Sequence, residues 1–219
     1  MFHHKTIYDK CWEKIDCIYI INLEERKDRY IETMTELCRM NAPLDRVHHY
    51  KAKKDATVTA AYIGATKNHL DVMKHMIDNG HKNCLFLEDD FVFTSTHDKN
   101  KGNMTMFLER NYDFDICFLS SSKFYRKEMH DDLLMRSYQE CTTSSGYILN
   151  HKTVQKVYDC VLEGYELLCK NGNSVAYCID RYWAKLNKDN KMFIFRDKMG
   201  YQRPNYSNCL LYTSDAADE

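Results

Sequence analysis

The sequence predicts an α/β protein in which a mostly parallel central sheet is flanked by helices. Short apolar segments of strand length alternate with amphipathic segments of helical periodicity, the pattern of consecutive strand–helix units. The apolar segments are continuous, as expected for strands buried on both faces. A chain of 219 residues with 44% hydrophobic content can build one substantial core, so we expect a single domain over residues 1–208.

The first half of the chain predicts two strands and two helices. The segment IDCIYIINL, residues 15–23, predicts a strand, and the charged segment after it predicts a helix. The apolar stripe of this helix comprises Tyr30, Ile31, Met34, Leu37 and Cys38. A second helix is predicted from residue 66 to a typical helix end at Asn79-Gly80. Its stripe comprises Leu70, Met73, Met76 and Ile77. The strand CLFLE, residues 84–88, follows directly.

The second half predicts a similar alternation after a polar excursion over residues 94–103. MTMFLERN predicts a short helix and FDICFLS a buried strand, whereas the charged segment 121–140 is expected to be irregular. SSGYILN predicts a turn that leads into a strand, and TVQKVYDCVLEGYELL has the clearest helical periodicity of the chain. A last helical stretch around CIDRYWAKL precedes a strand, MFIF.

Composition argues against several classes of partner. The net charge is −1 with a pI near 6.8, so no basic field favours nucleic acid. The ten cysteines are scattered without a C-x-x-C pair, which indicates a reducing compartment. We find neither a cleavable leader nor a run of eighteen apolar residues, and therefore expect no membrane span and a cytoplasmic location.

The final segment, CLLYTSDAADE at residues 209–219, differs from the rest of the chain. It corresponds to one reading frame of a transposase-type sequencing adapter and has no periodicity that continues the preceding segment. We expect that it contributes nothing to the fold and that the natural chain continues beyond about Asn208.

Three consecutive carboxylates, Glu88, Asp89 and Asp90, lie between the apolar segments LFL and FVF. Side chains alternate along a strand, so Glu88 and Asp90 are expected to face one site. Paired carboxylates suit Mn²⁺ or Mg²⁺, which keeps coordination positions for the oxygens of a substrate diphosphate. The alternative is an acidic helix cap or a solvated turn, which the apolar flanks disfavour.

Six segments together resemble glycosyltransferase family 25, the family of lipooligosaccharide and procollagen galactosyltransferases. In order, they are IYIINLEERKDR, GATKNHL, LFLEDDFVF, TSSGYILN, IDRYW and YQRPNYS. The resemblance implies a GT-A-type fold and an inverting, metal-assisted transfer of a hexose from a nucleotide sugar such as UDP-galactose or UDP-glucose. The acceptor would be a hydroxyl group of a glycan, a lipid-linked molecule or a protein.

The resemblance also assigns roles to individual residues. It implies that Glu88 and Asp90 bind the metal, that Glu88 and Asp89 belong to the nucleotide-sugar motif, and that Asp90 takes part in catalysis. The remaining residues of the implied nucleotide-sugar site are Asn22, Leu23, Arg29, Gly64, Asn68 and His69. Those of the acceptor side are Gly146 and Tyr147, with Asp180 as the base that activates the acceptor.

Several of these residues have a purely structural alternative. Arg26 and Arg29 could be solvated helix charges, which we favour for Arg26. His69 could be a hydrogen-bonded helix histidine, Gly146 a turn residue and Asp180 a helix cap. The alternative function is a non-catalytic module that binds a nucleotide sugar or a glycan. Nucleotidyl transfer is disfavoured because its glycine-rich basic phosphate loop is missing from the sequence.

Overall fold

A computed structural model describes residues 7–52, 61–121, 127–137, 143–189 and 191–203. The predicted adapter-derived tail lies outside these residues. The strands are β1 (Cys17–Leu23), β2 (Val47–Ala52), β3 (Asn83–Glu88), β4 (Phe91–Phe93), β5 (Ile116–Phe118), β6 (Lys127–Met129), β7 (Leu134–Ser137), β8 (Gly146–Asn150), β9 (Met192–Phe195) and β10 (Gly200–Gln202). The α-helices are α1 (Lys27–Arg39), α2 (Ala61–Asp78), α3 (His97–Glu109), α4 (Val154–Asn171), α5 (Ser174–Tyr177) and α6 (Ile179–Tyr182). Short 3₁₀ helices span Ile7–Trp12, Leu44–Arg46 and Trp183–Asp189.

Eight strands form one central sheet in the order β2-β1-β3-β8-β5-β9-β7-β6. Strands β8 and β7 run antiparallel to their neighbours, and the other strands of this sheet share one direction. The prediction of an α/β fold with a mostly parallel sheet is therefore confirmed. Strands β1 and β3 are parallel neighbours, so their carboxyl ends meet at one edge. Strands β4 and β10 pair separately as a small antiparallel ribbon.

The sheet separates two apolar layers, and the pleat of the strands assigns residues to them alternately. Ile18, Ile20, Leu85 and Leu87 pack on the face that α1 and α3 cover. Tyr19 and Phe86 pack on the opposite face, which α2 and α4 cover. Both faces of the central strands are thus buried, which explains why these segments are continuously apolar in sequence.

An aromatic row crosses four strands on the face covered by α2 and α4. The strand register pairs Tyr19 with Phe86, Phe86 with Tyr147, and Tyr147 with Phe118. Phe86 and Tyr147 stack at a centroid distance of 4.9 Å, and Trp183 meets Tyr147 edge-on at 5.3 Å. All these rings are buried, so the row fixes the position of each ring within it.

Three sequence predictions about secondary structure were wrong. Helix α3 begins at His97, within the segment 94–103 that we predicted to be a polar excursion. The segment predicted to be irregular contains the antiparallel pair β6 and β7. The edge strand β2 was not predicted, because its sequence VHHYKA has no continuous apolar run.

The apolar stripe predicted for α1 was wrong in part. Leu37 is buried as expected, but Ile31 is 63% exposed. The helix instead buries Arg29, Thr33 and Glu36. These side chains bind the segment around the acidic triplet: Thr33 Oγ1 donates to the carbonyl of Asp89 at 3.2 Å. Glu36 Oε2 accepts a hydrogen bond from the backbone N–H of Phe93, also at 3.2 Å. Hydrogen bonds, which hydrophobic periodicity does not reveal, therefore orient α1.

Phe91, which follows the triplet directly, is held between two glycines. A Cβ atom on Gly146 would lie 2.6 Å from the Phe91 ring, and one on Gly200 would lie 2.1 Å from it. A Cβ on Gly200 would also lie 2.6 Å from the carbonyl oxygen of Val92. These distances are below van der Waals contact, so a side chain at either position would displace the segment that carries Asp90.

We expect Gly200→Ala to destabilise the protein by about 1–3 kcal/mol, because its Cβ meets both a buried ring and a backbone carbonyl. Chemical denaturation measures the change in the free energy of unfolding. Gly102→Ala in α3 is the matched control, since a Cβ there meets nothing within 4 Å. This control should raise stability by about 0.5–1 kcal/mol. Equal stabilities for the two variants would contradict the packing account.

Candidate functional site

The acidic triplet lies at the carboxyl edge of the sheet, where β3 ends and the chain turns toward β4. The backbone N–H of Asp89 donates to the carbonyl of Ile21 on β1 at 3.1 Å. Its carboxylate accepts from Asn22 Nδ2 at 2.8 Å and from an Arg29 guanidinium nitrogen at 3.1 Å. Asp89 therefore faces α1 and is bound by the protein itself.

Asn22 extends this network toward β2. Its Oδ1 lies 3.0 Å from His49 Nε2, and the His49 ring stacks on Tyr30 at a centroid distance of 3.8 Å. Asn22, Arg29 and Asp89 are all buried. We predicted that they help to hold the nucleotide, and in the structure their side chains bind one another. Their role at the nucleotide stays a prediction, as does that of Leu23, which is half-buried at the end of β1.

Glu88 faces the opposite side of the sheet from Asp89. Its Oε1 accepts from His69 Nε2 at 3.0 Å and from Ser144 Oγ at 2.5 Å. Burial opposes ionisation of Glu88, but the hydrogen bonds from His69 and Ser144 lower its pKa below the usual value. The other ring nitrogen of His69, Nδ1, lies 2.7 Å from the hydroxyl of Tyr147.

Asp90 has the least compensated charge of the triplet. Its Oδ2 accepts from Gln202 Nε2 at 2.9 Å, and its carbonyl accepts from the backbone N–H of Arg203 at 2.7 Å. Its Oδ1 is buried, and among the described residues it has no hydrogen-bond partner. Burial, followed by the nearby charge of Glu88, raises the pKa of Asp90 to about 7.

Asp180 lies in the first turn of α6, and Cys178 is the N-cap residue of this short helix. Asp180 is therefore not the helix cap that we considered as its structural alternative. Its Oδ1 accepts from the thiol of Cys178 at 2.9 Å. Burial raises the pKa of Asp180, and the charge of Glu88 adds to this effect. The carboxylates of Glu88 and Asp180 thus share one electrostatic environment.

Some residues in the segments that resemble the family lie away from these acids or in the protein interior. Arg26 pairs with Asp28 near the surface, as we favoured. Gly64 and Asn68 are half-buried on α2. Tyr147 is fully buried, and its implied place on the acceptor side stays a prediction. Gly146 accommodates the ring of Phe91.

Sequence reasoning gave no site role to three participants: Ser144, Cys178 and Gln202 are bound to Glu88, Asp180 and Asp90, respectively. All three lie within or next to segments that resemble the family, TSSGYILN, IDRYW and YQRPNYS. Their proximity to the acids could have been suspected from those segments. Their partners could not be identified, because the sequence does not show which acid each of these segments meets.

The three carboxylates of the triplet thus lie in three different environments. Arg29 compensates Asp89 and His69 binds Glu88, whereas Asp90 is bound by a neutral amide. Among the described residues, no group of three or more His, Cys, Asp or Glu side chains is arranged to hold a metal ion. A cation such as Mg²⁺ is often bound by one or two carboxylates together with substrate phosphates. The buried Oδ1 of Asp90, which has no partner among the described residues, fits the role of such a carboxylate ligand.

Comparison with solved structures finds proteins of similar fold. The mannose-1-phosphate geranyltransferase from Thermus thermophilus superposes with a TM-score of 0.50 at 10% identity, covering 82% of this chain and 73% of that one. A glycosyltransferase involved in glycosylation of the major capsid of PBCV-1 gives 0.43 at 11% identity, with coverages of 83% and 93%. The glycosyltransferase GlyE from Streptococcus pneumoniae TIGR4 gives 0.41 at 14% identity, with coverages of 81% and 44%.

The fold assignment is based on the first of these structures and on the sheet described above. The predicted GT-A-type α/β architecture is confirmed. A scan against protein-family models gives no match, and a search of curated protein sequences gives none either. Within the described ranges, no helix is both long and apolar enough to cross a membrane.

Asp89→Asn tests the internal ion pair. The variant keeps the shape of the side chain but removes the charge that compensates buried Arg29, so we expect a loss of about 3 kcal/mol in the free energy of unfolding. Asp28→Asn is the control, because Asp28 pairs with Arg26 at an exposed position. A cost for Asp89→Asn no larger than that of the control would show that the pair is not a structural requirement.

Asp90 should make stability depend on pH. The pKa of Asp90 is about 7 in the folded protein, above the value of about 3.9 expected after unfolding. The folded state therefore binds the proton more tightly, and this contribution is complete below about pH 4 and lost as the pH rises to about 7. The stability of Asp90→Asn relative to wild type should rise across that window and then level off. A difference independent of pH would contradict the assigned environment.

Proposed function

We propose that the protein is a glycosyltransferase that moves a hexose, galactose or glucose, from a UDP-sugar to an acceptor hydroxyl with inversion and with help from a divalent cation. One observation carries the proposal. At the carboxyl edge of β3, Asp90 presents a buried oxygen without a partner among the described residues, beside the ionised carboxylate of Glu88. Ligands of α/β sheets bind at such edges.

Two further observations support this function. The GT-A-type fold provides the sheet edge, and the six segments that resemble glycosyltransferase family 25 include LFLEDDFVF, which carries the acids. The fold alone does not distinguish sugar transfer from nucleotide transfer. The family resemblance favours sugar transfer, and the missing glycine-rich basic loop argues against nucleotide transfer.

Glu88 and Asp90 would hold the cation, Mn²⁺ or Mg²⁺. When bound, it would act as a Lewis acid toward the diphosphate that leaves the sugar. Asp89 would not be a ligand, since Arg29 and Asn22 already occupy its carboxylate oxygens. Its role would be to fix the backbone between the two acids.

Asp180 would act as the general base. The acceptor oxygen attacks the anomeric carbon while the bond from that carbon to the diphosphate oxygen breaks, and the hydroxyl proton passes to the Asp180 carboxylate. Burial raises the pKa of Asp180, which makes its carboxylate a better proton acceptor than a solvated aspartate. Cys178 would keep the carboxylate oriented by donating to Oδ1 at 2.9 Å.

Release of free UDP from a panel of UDP-sugars, with Mn²⁺ and simple acceptors, tests the proposal. We expect turnover with at least one UDP-hexose and loss of that turnover on chelation or in Asp90→Asn. Pyrophosphate release from a nucleoside triphosphate and a sugar 1-phosphate, without UDP-sugar turnover, would contradict it. UDP-sugar binding without turnover would instead support the alternative, a non-catalytic binding module.

Asp180→Asn should lower kcat for transfer by about 10²–10⁴-fold while donor affinity persists, because its partner is the acceptor hydroxyl. Transfer rate and UDP-sugar affinity are measured on the same variant. Asp159→Asn is the control, since Asp159 lies exposed on α4 and bonds only to Gln155 among the described residues. An unchanged kcat, or a loss of donor affinity that accounts for the rate, would contradict the base assignment.

A further inference from the structure

A hydrogen-bonded chain connects the buried aromatic row to Glu88. It runs from the hydroxyl of Tyr147 to His69 Nδ1 at 2.7 Å, and from His69 Nε2 to Glu88 Oε1 at 3.0 Å. Tyr147 is fully buried and His69 is 1% exposed, whereas the Glu88 side chain is 25% exposed. The chain therefore passes from the protein interior to the partly exposed carboxyl edge of the sheet.

With His69 as a neutral imidazole, the hydrogen bonds of the chain have one direction. An ionised carboxylate only accepts hydrogen bonds, so His69 must donate its Nε2–H to Glu88. A neutral imidazole has a single N–H, which leaves the lone pair of Nδ1 to accept the hydroxyl proton of Tyr147. Each donor then has an acceptor, and the opposite tautomer would direct a nitrogen lone pair at the carboxylate.

The chain and Ser144 act on the same oxygen of Glu88. His69 and Ser144 both donate to Oε1, and no described residue donates to Oε2. The Tyr147 ring cannot shift easily, because Phe86 stacks on one side of it and Trp183 meets it edge-on. A rigid ring thus determines the orientation of a partly exposed carboxylate at the carboxyl edge of the sheet.

We propose that Tyr147 and His69 are positioning residues, which fix Glu88 through Oε1 so that Oε2 is presented to the ligand site beside Asp90. The inference rests on the proposed function, in which Glu88 contacts the cation. It gives these two residues a role different from direct contact with acceptor or nucleotide. It predicts that removing one buried hydroxyl impairs a site that this hydroxyl does not touch.

Tyr19 offers a matched control within the same aromatic row. It is also fully buried, and its hydroxyl lies 2.9 Å from His75 Nδ1 and 3.0 Å from His81 Nδ1. Its described partners do not include an acid of the triplet. Tyr19→Phe and Tyr147→Phe therefore both remove a tyrosine–histidine hydrogen bond from a buried ring, and only the second interrupts the chain to Glu88.

The first test does not depend on activity. Histidine ¹⁵N–¹H correlation spectra, with His69→Gln to assign the signal, should show His69 as the Nε2–H tautomer in wild type and in Tyr19→Phe. In Tyr147→Phe, the ring loses the partner of Nδ1, so its ¹⁵N shifts should move. The Nδ1–H tautomer in wild type, or unchanged shifts in Tyr147→Phe, would overturn the proposal even if the protein proved to be no transferase.

The second test uses turnover of the UDP-sugar. We expect Tyr147→Phe to lower kcat/KM about 10-fold or more, and Tyr19→Phe to leave it unchanged at a comparable loss of thermal stability. His69→Gln, which keeps an N–H donor near the Nε2 position, should retain more activity than His69→Leu, which keeps bulk without a donor. Equal activities of Tyr147→Phe and Tyr19→Phe, or of the two His69 variants, would overturn the proposal. No turnover in wild type would contradict the proposed function alone, and the spectra would then decide the positioning role.

Discussion

The buried ion pair between Asp89 and Arg29 is the interaction on which the arrangement of the site depends. Three adjacent carboxylates at a strand end repel one another, and burial makes each of them costly to ionise. Arg29 compensates the middle charge from α1, while Asn22 binds the other carboxylate oxygen from β1. The same pair positions α1, whose inward face is polar around Arg29. One aspartate therefore joins a helix to the two parallel strands whose carboxyl ends form the site.

With Asp89 directed toward α1, its two neighbours are directed toward other partners. Glu88 is bound by His69 and Ser144, and Asp90 by Gln202. The ring of Phe91, held between Gly146 and Gly200, fixes the chain directly after the triplet. The acids thus differ in charge compensation although they are adjacent in sequence, and this difference assigns the middle one to structure and favours the outer ones for ligand binding.

The sequence allowed prediction of the parts of the fold that hydrophobic periodicity controls. Strand β9 and helix α4 were identified because their residues bury continuous or periodic apolar surface. Strand β2 and the inward face of α1 were missed, because His49 and Arg29 contribute through hydrogen bonds to partners distant in the chain. Within the site, alternation along the strand correctly placed Glu88 and Asp89 on opposite faces. Charge compensation by Arg29 could not be predicted, because it depends on how α1 docks.

Calorimetric titration with UDP, with and without Mn²⁺, tests the central claim most directly: the outer acids hold a cation against a nucleotide diphosphate. The account predicts that UDP binds measurably tighter in the presence of Mn²⁺ and that Asp90→Asn abolishes this enhancement without abolishing folding. Equal UDP affinity with and without the cation in wild type, or an enhancement that persists in Asp90→Asn, would contradict it.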